Sequence, residues 1–251
     1  MKYFKCISSI ILVIIIFTSS TLNIIAQNNT VNNMFTIEEK IINEESEFFK
    51  QNIKYPHLNL KEDYKDEKSK NIVNNINKEI EEYINNFIQD IKSQSDKYSK
   101  EYNEDLSKSK DDYIKYQYEA YSDYKITYNK NNILSIPITT YNFTGGAHGM
   151  SYLKSFNYDL ITGEILSLKD MFKDNIDYKK IVNDYINSEI EKNKDNYFSG
   201  KDGFNGISDN QEFYIDNNGI VVYFQLYDIA PYYVGIPKFE FNNREFKKYL
   251  K

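Results

Sequence analysis

The chain has 251 residues, enough for one large domain or two small ones with an ample core. Its formal charge of −6 is spread along the chain without a basic stripe, which argues against a nucleic-acid partner. The composition leans to Ile, Asn, Lys and Tyr. It has no Trp, and its one cysteine stands at position 6, so no disulfide framework can hold the fold.

Residues 1–26 read as an export signal. Lys2 and Lys5 form the positive start, Ile7–Phe17 the apolar run, Thr18–Thr21 a polar break, and Ala26 the small residue before a cut. The competing reading is an uncleaved anchor, because Ile7–Ala26 matches roughly one membrane span of ~20 residues. Residues 27–44 are rich in Asn and Glu and predict a flexible leader. Glu47–Tyr55 predicts a strand ended by Pro56.

The clearest helix is Asp66–Lys92, where Ile72, Ile76, Ile80, Tyr83, Ile84, Phe87 and Ile91 fall on one stripe. Ser95–Lys110 is highly charged, as a solvated helix extension or a loop would be. Tyr113–Tyr128 alternates, with Tyr116, Tyr118, Ala120, Tyr124, Ile126 and Tyr128 on one parity, which predicts one long half-buried strand with Tyr121-Ser122 as the place for a bulge. Asn129–Asn132 is turn chemistry, and Ile133–Phe143 is the returning strand. Pro137 within it predicts an edge position or an irregularity.

Three glycines follow within five residues, Gly145, Gly146 and Gly149, and predict a strained or closely packed corner. Ser151–Leu160 returns as a strand, Thr162-Gly163 closes a hairpin, and Leu168–Phe172 is a short helical phrase. Asp177–Lys194 is a second amphipathic helix. Glu212–Ile215 and Ile220–Tyr227 predict a hairpin, Lys238–Phe241 a last strand, and Asn243–Leu250 a closing helical turn. The sequence of a helix and then strands, repeated once, predicts an α+β chain of two lobes. Each lobe is an amphipathic helix packed on antiparallel sheet built from hairpins.

Three of these phrases, Ile53-Lys54-Tyr55-Pro56, the helix around Ile76–Ile80 and Phe143-Thr144-Gly145-Gly146-Ala147-His148-Gly149, resemble the N-terminal domain of PdaC-type peptidoglycan deacetylases. Asp159–Glu164, Leu168–Phe172 and Tyr227–Tyr232 resemble the C-terminal companion domain, one of unknown function, found in RsiV-type lysozyme-sensing anti-sigma factors. The resemblance covers roughly residues 45–245 and includes neither the catalytic domain of the deacetylases nor the cytoplasmic part of the anti-sigma factors. It implies a PdaC-like α+β domain over 45–148 and an RsiV-like α+β domain over 149–251. The implied protein is a binding module outside the cytoplasm, secreted or held at the outer face of the membrane. Its implied partner is a lysozyme-like protein or cell-wall glycan, without a cofactor.

His148 sits in the glycine corner, yet a metal centre needs three or four ligands and His57 is the one other histidine. A structural histidine at a bulge is therefore the expectation. Asp159, Glu164 and Asp170 suit turn-forming and capping better than acid–base pairing with His148, which is the enzymatic alternative. Tyrosine offers a wide rigid face with a polar tip. Tyr121, on the exposed parity of its strand, and Tyr232 and Tyr233, which follow a proline in a loop, are with His148 the candidate binding residues. No catalytic or metal-binding set is expected.

Overall fold

The computed structural model describes residues 34–108 and 114–251, so the predicted signal and residues 27–33 of the leader lie outside the described residues. Among the described residues, no helix is long and apolar enough to cross a membrane.

The larger sheet begins with β1 (Phe35–Glu45) and β2 (Phe49–Leu60), an antiparallel hairpin. Helix α1 (Glu67–Lys108) then crosses the sheet and delivers β3 (Tyr118–Tyr124) parallel to β2. β4 (Tyr128–Lys130), β5 (Ile133–Phe143) and β6 (Met150–Asp159) complete it, with β5 between β3 and β4 on one side and β6 on the other. Side chains alternate across a strand. Leu134, Ile136 and Ile138 of β5 join Ile53, Ala120, Phe156 and Tyr158 in one core with Val73, Ile76, Ile80, Ile84 and Ile91 of α1. Asp66 starts α1, its carboxylate accepting the Ser69 N–H at 3.0 Å.

The second lobe holds a 3₁₀ turn at Leu168–Met171, α2 (Tyr178–Lys192), β7 (Phe213–Ile215), β8 (Gly219–Tyr223), β9 (Lys238–Asn242) and α3 (Asn243–Phe246). Val182 and Ile186 of α2 pack on Phe213, Ile215, Ile220, Val222, Phe239 and Phe241. The opposite face of this sheet is covered too, with Val221 and Tyr223 almost fully buried. The lobes are joined by buried polar groups. Ser135 donates to Asn157 Oδ1 at 2.6 Å, Asn157 donates to the Phe213 carbonyl at 2.8 Å, and the Ile215 N–H donates to Ser135 Oγ at 3.0 Å.

The α+β class and the helix-on-sheet packing are as the sequence predicts. Several details differ. The leader predicted over 27–44 contains β1 from Phe35, a strand whose Glu and Lys residues suit the outer edge of a sheet. β2 continues through Pro56, because its pairing with β3 ends at Ile53 and one side of the strand is then open. The β2–β3 pair makes the larger sheet mixed instead of purely antiparallel. The predicted long strand at 113–128 is broken at Lys125–Thr127, and Pro137 of the central strand β5 lies opposite that break. The charged stretch after Lys92 is helical to Lys108, with Tyr98 and Tyr102 packed edge-on to Phe48. A boundary at 148/149 would separate β6 from its partner β5, so the first sheet extends to Asp159.

Candidate functional site

The site is built at the corner between β5 and β6. Gly145 has φ 93°, a backbone conformation that glycine enters without strain, and it lies over the ring of Tyr116. Gly149 is needed for a different reason. A Cβ there would overlap the carbonyl oxygen of Asn142 and the phenol of Tyr141, so only a bare backbone lets the Tyr141 ring lie against the chain.

The Gly149 carbonyl collects two donors. Tyr232 Oη donates to it at 3.0 Å, and His148 Nδ1 lies at 3.0 Å. A carbonyl can only accept, so His148 carries its proton on Nδ1 when neutral. Nε2 is then free to accept from Tyr227 Oη at 3.4 Å. The imidazole stacks on the Tyr232 ring, with centroids 4.0 Å apart and planes at 23°. Tyr227 tilts against Tyr232 at 5.9 Å, and Tyr121 against Tyr141 at 5.9 Å. Tyr121 and Tyr141 are register partners on β3 and β5, on the face opposite α1. Burial, then the Glu119 carboxylate and the neighbouring Tyr232 and Tyr121 phenols, push the Tyr141 phenol above its usual value, so it stays protonated.

Four tyrosines and a histidine thus form a platform to which both lobes contribute. Tyr121, His148 and Tyr232 come together as candidates from the sequence, whereas Tyr233 does not. It is 71% exposed and reaches away to the Asp195 carbonyl at 3.4 Å. Tyr141 and Tyr227 complete the platform without having been singled out by the sequence. His148 is hydrogen-bonded within its own corner, as expected of a structural histidine at a bulge, and it is also exposed, with contacts that run to the second lobe.

The carboxylates of the enzymatic alternative lie elsewhere. Asp159 pairs with Ile133 at the far end of the β5–β6 ladder, about 30 Å from the corner at the usual rise per residue. Asp159, Glu164 and Asp170 line a cavity of about 630 Å³ there. Asp159 accepts the Ile161 and Thr162 N–H groups, and Asp170 closes a capping box with Ser167, so both carboxylates serve turns. His57 sits in the groove between β2 and α1, 3.2 Å from Glu81. Among the described residues, no three His, Cys, Asp or Glu side chains gather in a way that could hold a metal ion.

Residues 42–151 match the family model of the deacetylase PdaC, and residues 169–243 match that of a protein of unknown function, DUF3298. The stretch that matches PdaC, called the PdaC-type region below, is thus followed by the stretch that matches DUF3298, called the DUF3298 region. The N-terminal part is 34% identical over 117 residues to the peptidoglycan-N-acetylmuramic acid deacetylase PdaC of Bacillus subtilis (strain 168). That match covers 45% of the chain and spans about a quarter of the curated relative, 25% of its length. Two solved DUF3298-family structures share the fold. One, from Bacteroides fragilis NCTC 9343, has a TM-score of 0.68 at 22% identity and covers 89% of this chain and 96% of its own. The other, from Pseudomonas aeruginosa PAO1, has a TM-score of 0.56 at 14% identity, covering 88% and 96%. Tyr121, Tyr141 and His148 of the platform lie in the PdaC-type region, and Tyr227 and Tyr232 in the DUF3298 region.

Proposed function

We propose that the chain is an exported, non-catalytic binding module that holds peptidoglycan glycan at the cell envelope through the tyrosine platform. The observation that carries this reading is the convergence of Tyr121, Tyr141, Tyr227, Tyr232 and His148, from both regions, at an exposed corner. Aromatic rings with polar tips stack on the C–H faces of sugars while their hydroxyls reach the sugar's own. A curated relative of the PdaC-type region is a deacetylase of peptidoglycan, which supports wall glycan as the ligand. The export-signal pattern of residues 1–26 supports placement outside the cytoplasm.

A lysozyme-like protein is the competing ligand, on the resemblance to lysozyme-sensing proteins, and a formal charge of −6 suits a basic one. Pull-down of the exported chain against purified peptidoglycan and against lysozyme separates the two. Retention by peptidoglycan, reduced about tenfold by His148→Ala with unchanged circular dichroism, is the expected result for an interface anchor. Retention by lysozyme alone moves the ligand to a protein, and retention by neither overturns the binding-module reading.

A further inference from the structure

We infer that the platform is one end of a longer line of subsites, and that its ligand is an uncharged glycan chain laid across the strands as far as β1. The inference rests on the glycan binding proposed above and deepens it.

Register carries it. Asn43 of β1 pairs with Asn52 of β2, Asn52 with Tyr121 of β3, Tyr121 with Tyr141 of β5, and Tyr141 with Ser151 of β6. Register partners share a face, so these side chains form one line across the sheet, on the side away from α1. From Asn43 to Tyr141 the line crosses three strand spacings, about 14 Å at the usual interstrand distance. At Tyr141 it meets the corner, where His148, Tyr232 and Tyr227 continue it onto the second lobe. The second lobe covers this face where Ser135 and Asn157 are buried, whereas Asn43 and Asn52 are exposed. Among the described residues, neither of these two side-chain amides has a hydrogen-bond partner, and each offers both donors and an acceptor.

The chemistry on either side of the line selects the occupant. Along one flank run Glu45, Lys50 and Glu119, register partners in turn, with Lys50 Nζ 3.4 Å from Glu45. On the other flank stand Lys54 and Asp123, each two residues beyond a member of the line and therefore on the same face. Each flank mixes the signs, so the line itself favours neither a cationic nor an anionic ligand. Rings and amides without a dominant charge match a ligand made of hydroxyls, acetamido groups and C–H faces. An extended β-linked sugar chain advances by about one strand spacing per ring, so successive sugars fall over successive strands. A short oligomer seated on the platform does not reach the asparagines.

The test is calorimetric titration of the exported chain with N-acetylglucosamine oligomers from dimer to hexamer. Affinity is expected to rise at least tenfold, in order of magnitude about what two added sets of hydrogen bonds supply, between the dimer and the hexamer. Asn43→Ala combined with Asn52→Ala should lower hexamer affinity about tenfold, leave dimer affinity unchanged and leave the circular dichroism as in the parent. Equal affinity for dimer and hexamer overturns the extended line and leaves glycan binding at the platform standing. A hexamer advantage untouched by the double substitution, or an equal loss at both lengths, overturns the assignment to these asparagines. Binding of no oligomer overturns the inference and the glycan reading together.

Discussion

Tyr227 holds its backbone at φ 68°, a left-handed conformation that costs an L-residue about 1–2 kcal/mol. Its ring is 46% exposed, so hydrophobic burial does little to offset the strain. What the tyrosine supplies there is a ring beside Tyr232 and a hydroxyl for His148. Strain held at an exposed aromatic is a mark of function, so stability and binding should separate on substitution. Tyr227→Gly is expected to melt at the parent temperature or higher, up to ~1 kcal/mol more stable, while retaining about tenfold less peptidoglycan. A lower melting temperature with intact retention would make Tyr227 a purely structural residue. At this scale, three of the five platform residues were legible in the sequence. Strand parity marked Tyr121, the glycine corner marked His148, and the loop after Pro231 marked Tyr232. Tyr141 and Tyr227 were hidden among 24 tyrosines, because nothing local says that a ring will face a neighbouring lobe. Tyr233 misled because adjacent residues in a tight turn point different ways.

Local elements were the easiest part to read, since a stripe of period 3.6 or an alternation is written in consecutive residues. Both long helices and β5 appear within a few residues of their predicted ends, apart from the charged extension of α1. The parallel pairing of Phe49–Ile53 with Tyr118–Ser122 was not legible, because it joins segments separated by the whole of α1. The 3₁₀ turn at Leu168–Met171 shows how a short element is held. The Ser167 hydroxyl, then its backbone N–H, bind the Asp170 carboxylate and hold it below the usual aspartate value. A group whose folded pKa is depressed stabilises the fold above its unfolded value, about 4, and loses that contribution as pH falls through the folded value. Melting curves across the acid range should therefore show the parent losing more stability than Asp170→Asn below about pH 4. Parallel losses in the two proteins would mean that the capping contact does not persist in solution.

At the scale of the molecule, the lobes are held together by few polar groups in a dry setting. Asn157 is 3% exposed and Ser135 0%, and both lie on the β5–β6 face away from α1. Removing the Asn157 carboxamide would leave the buried Ser135 O–H without its acceptor and take the side-chain donor from the Phe213 carbonyl, each with a desolvation cost. Asn157→Ala is accordingly expected to lower stability by about 2–4 kcal/mol and to broaden or split the calorimetric transition as the lobes uncouple. A sharp transition at the parent temperature would show that packing around Val221 and Tyr223 suffices without the network. The two-lobe plan was legible because each lobe repeats a helix and hairpins. The joint was not, since one Ser and one Asn inside apolar strands look like ordinary interruptions.

The outer margin of β6 carries one more consequence. The side-chain amide of Gln225 receives the Leu153 N–H at 3.1 Å and donates to the Leu153 carbonyl at 2.7 Å, standing where the peptide group of a neighbouring strand would stand. Further along, the Leu166 N–H bonds to the Asn157 carbonyl at 2.8 Å and the Asp159 N–H to the Glu164 carbonyl at 3.0 Å, which covers the end of the same margin. An open strand margin is a template for copies of the same chain, so the second lobe also guards the first against polymerisation. Any event that prises the lobes apart, whether proteolysis, heat or a mutation at the joint, would uncover that template and turn the folded chain into a seed for aggregates.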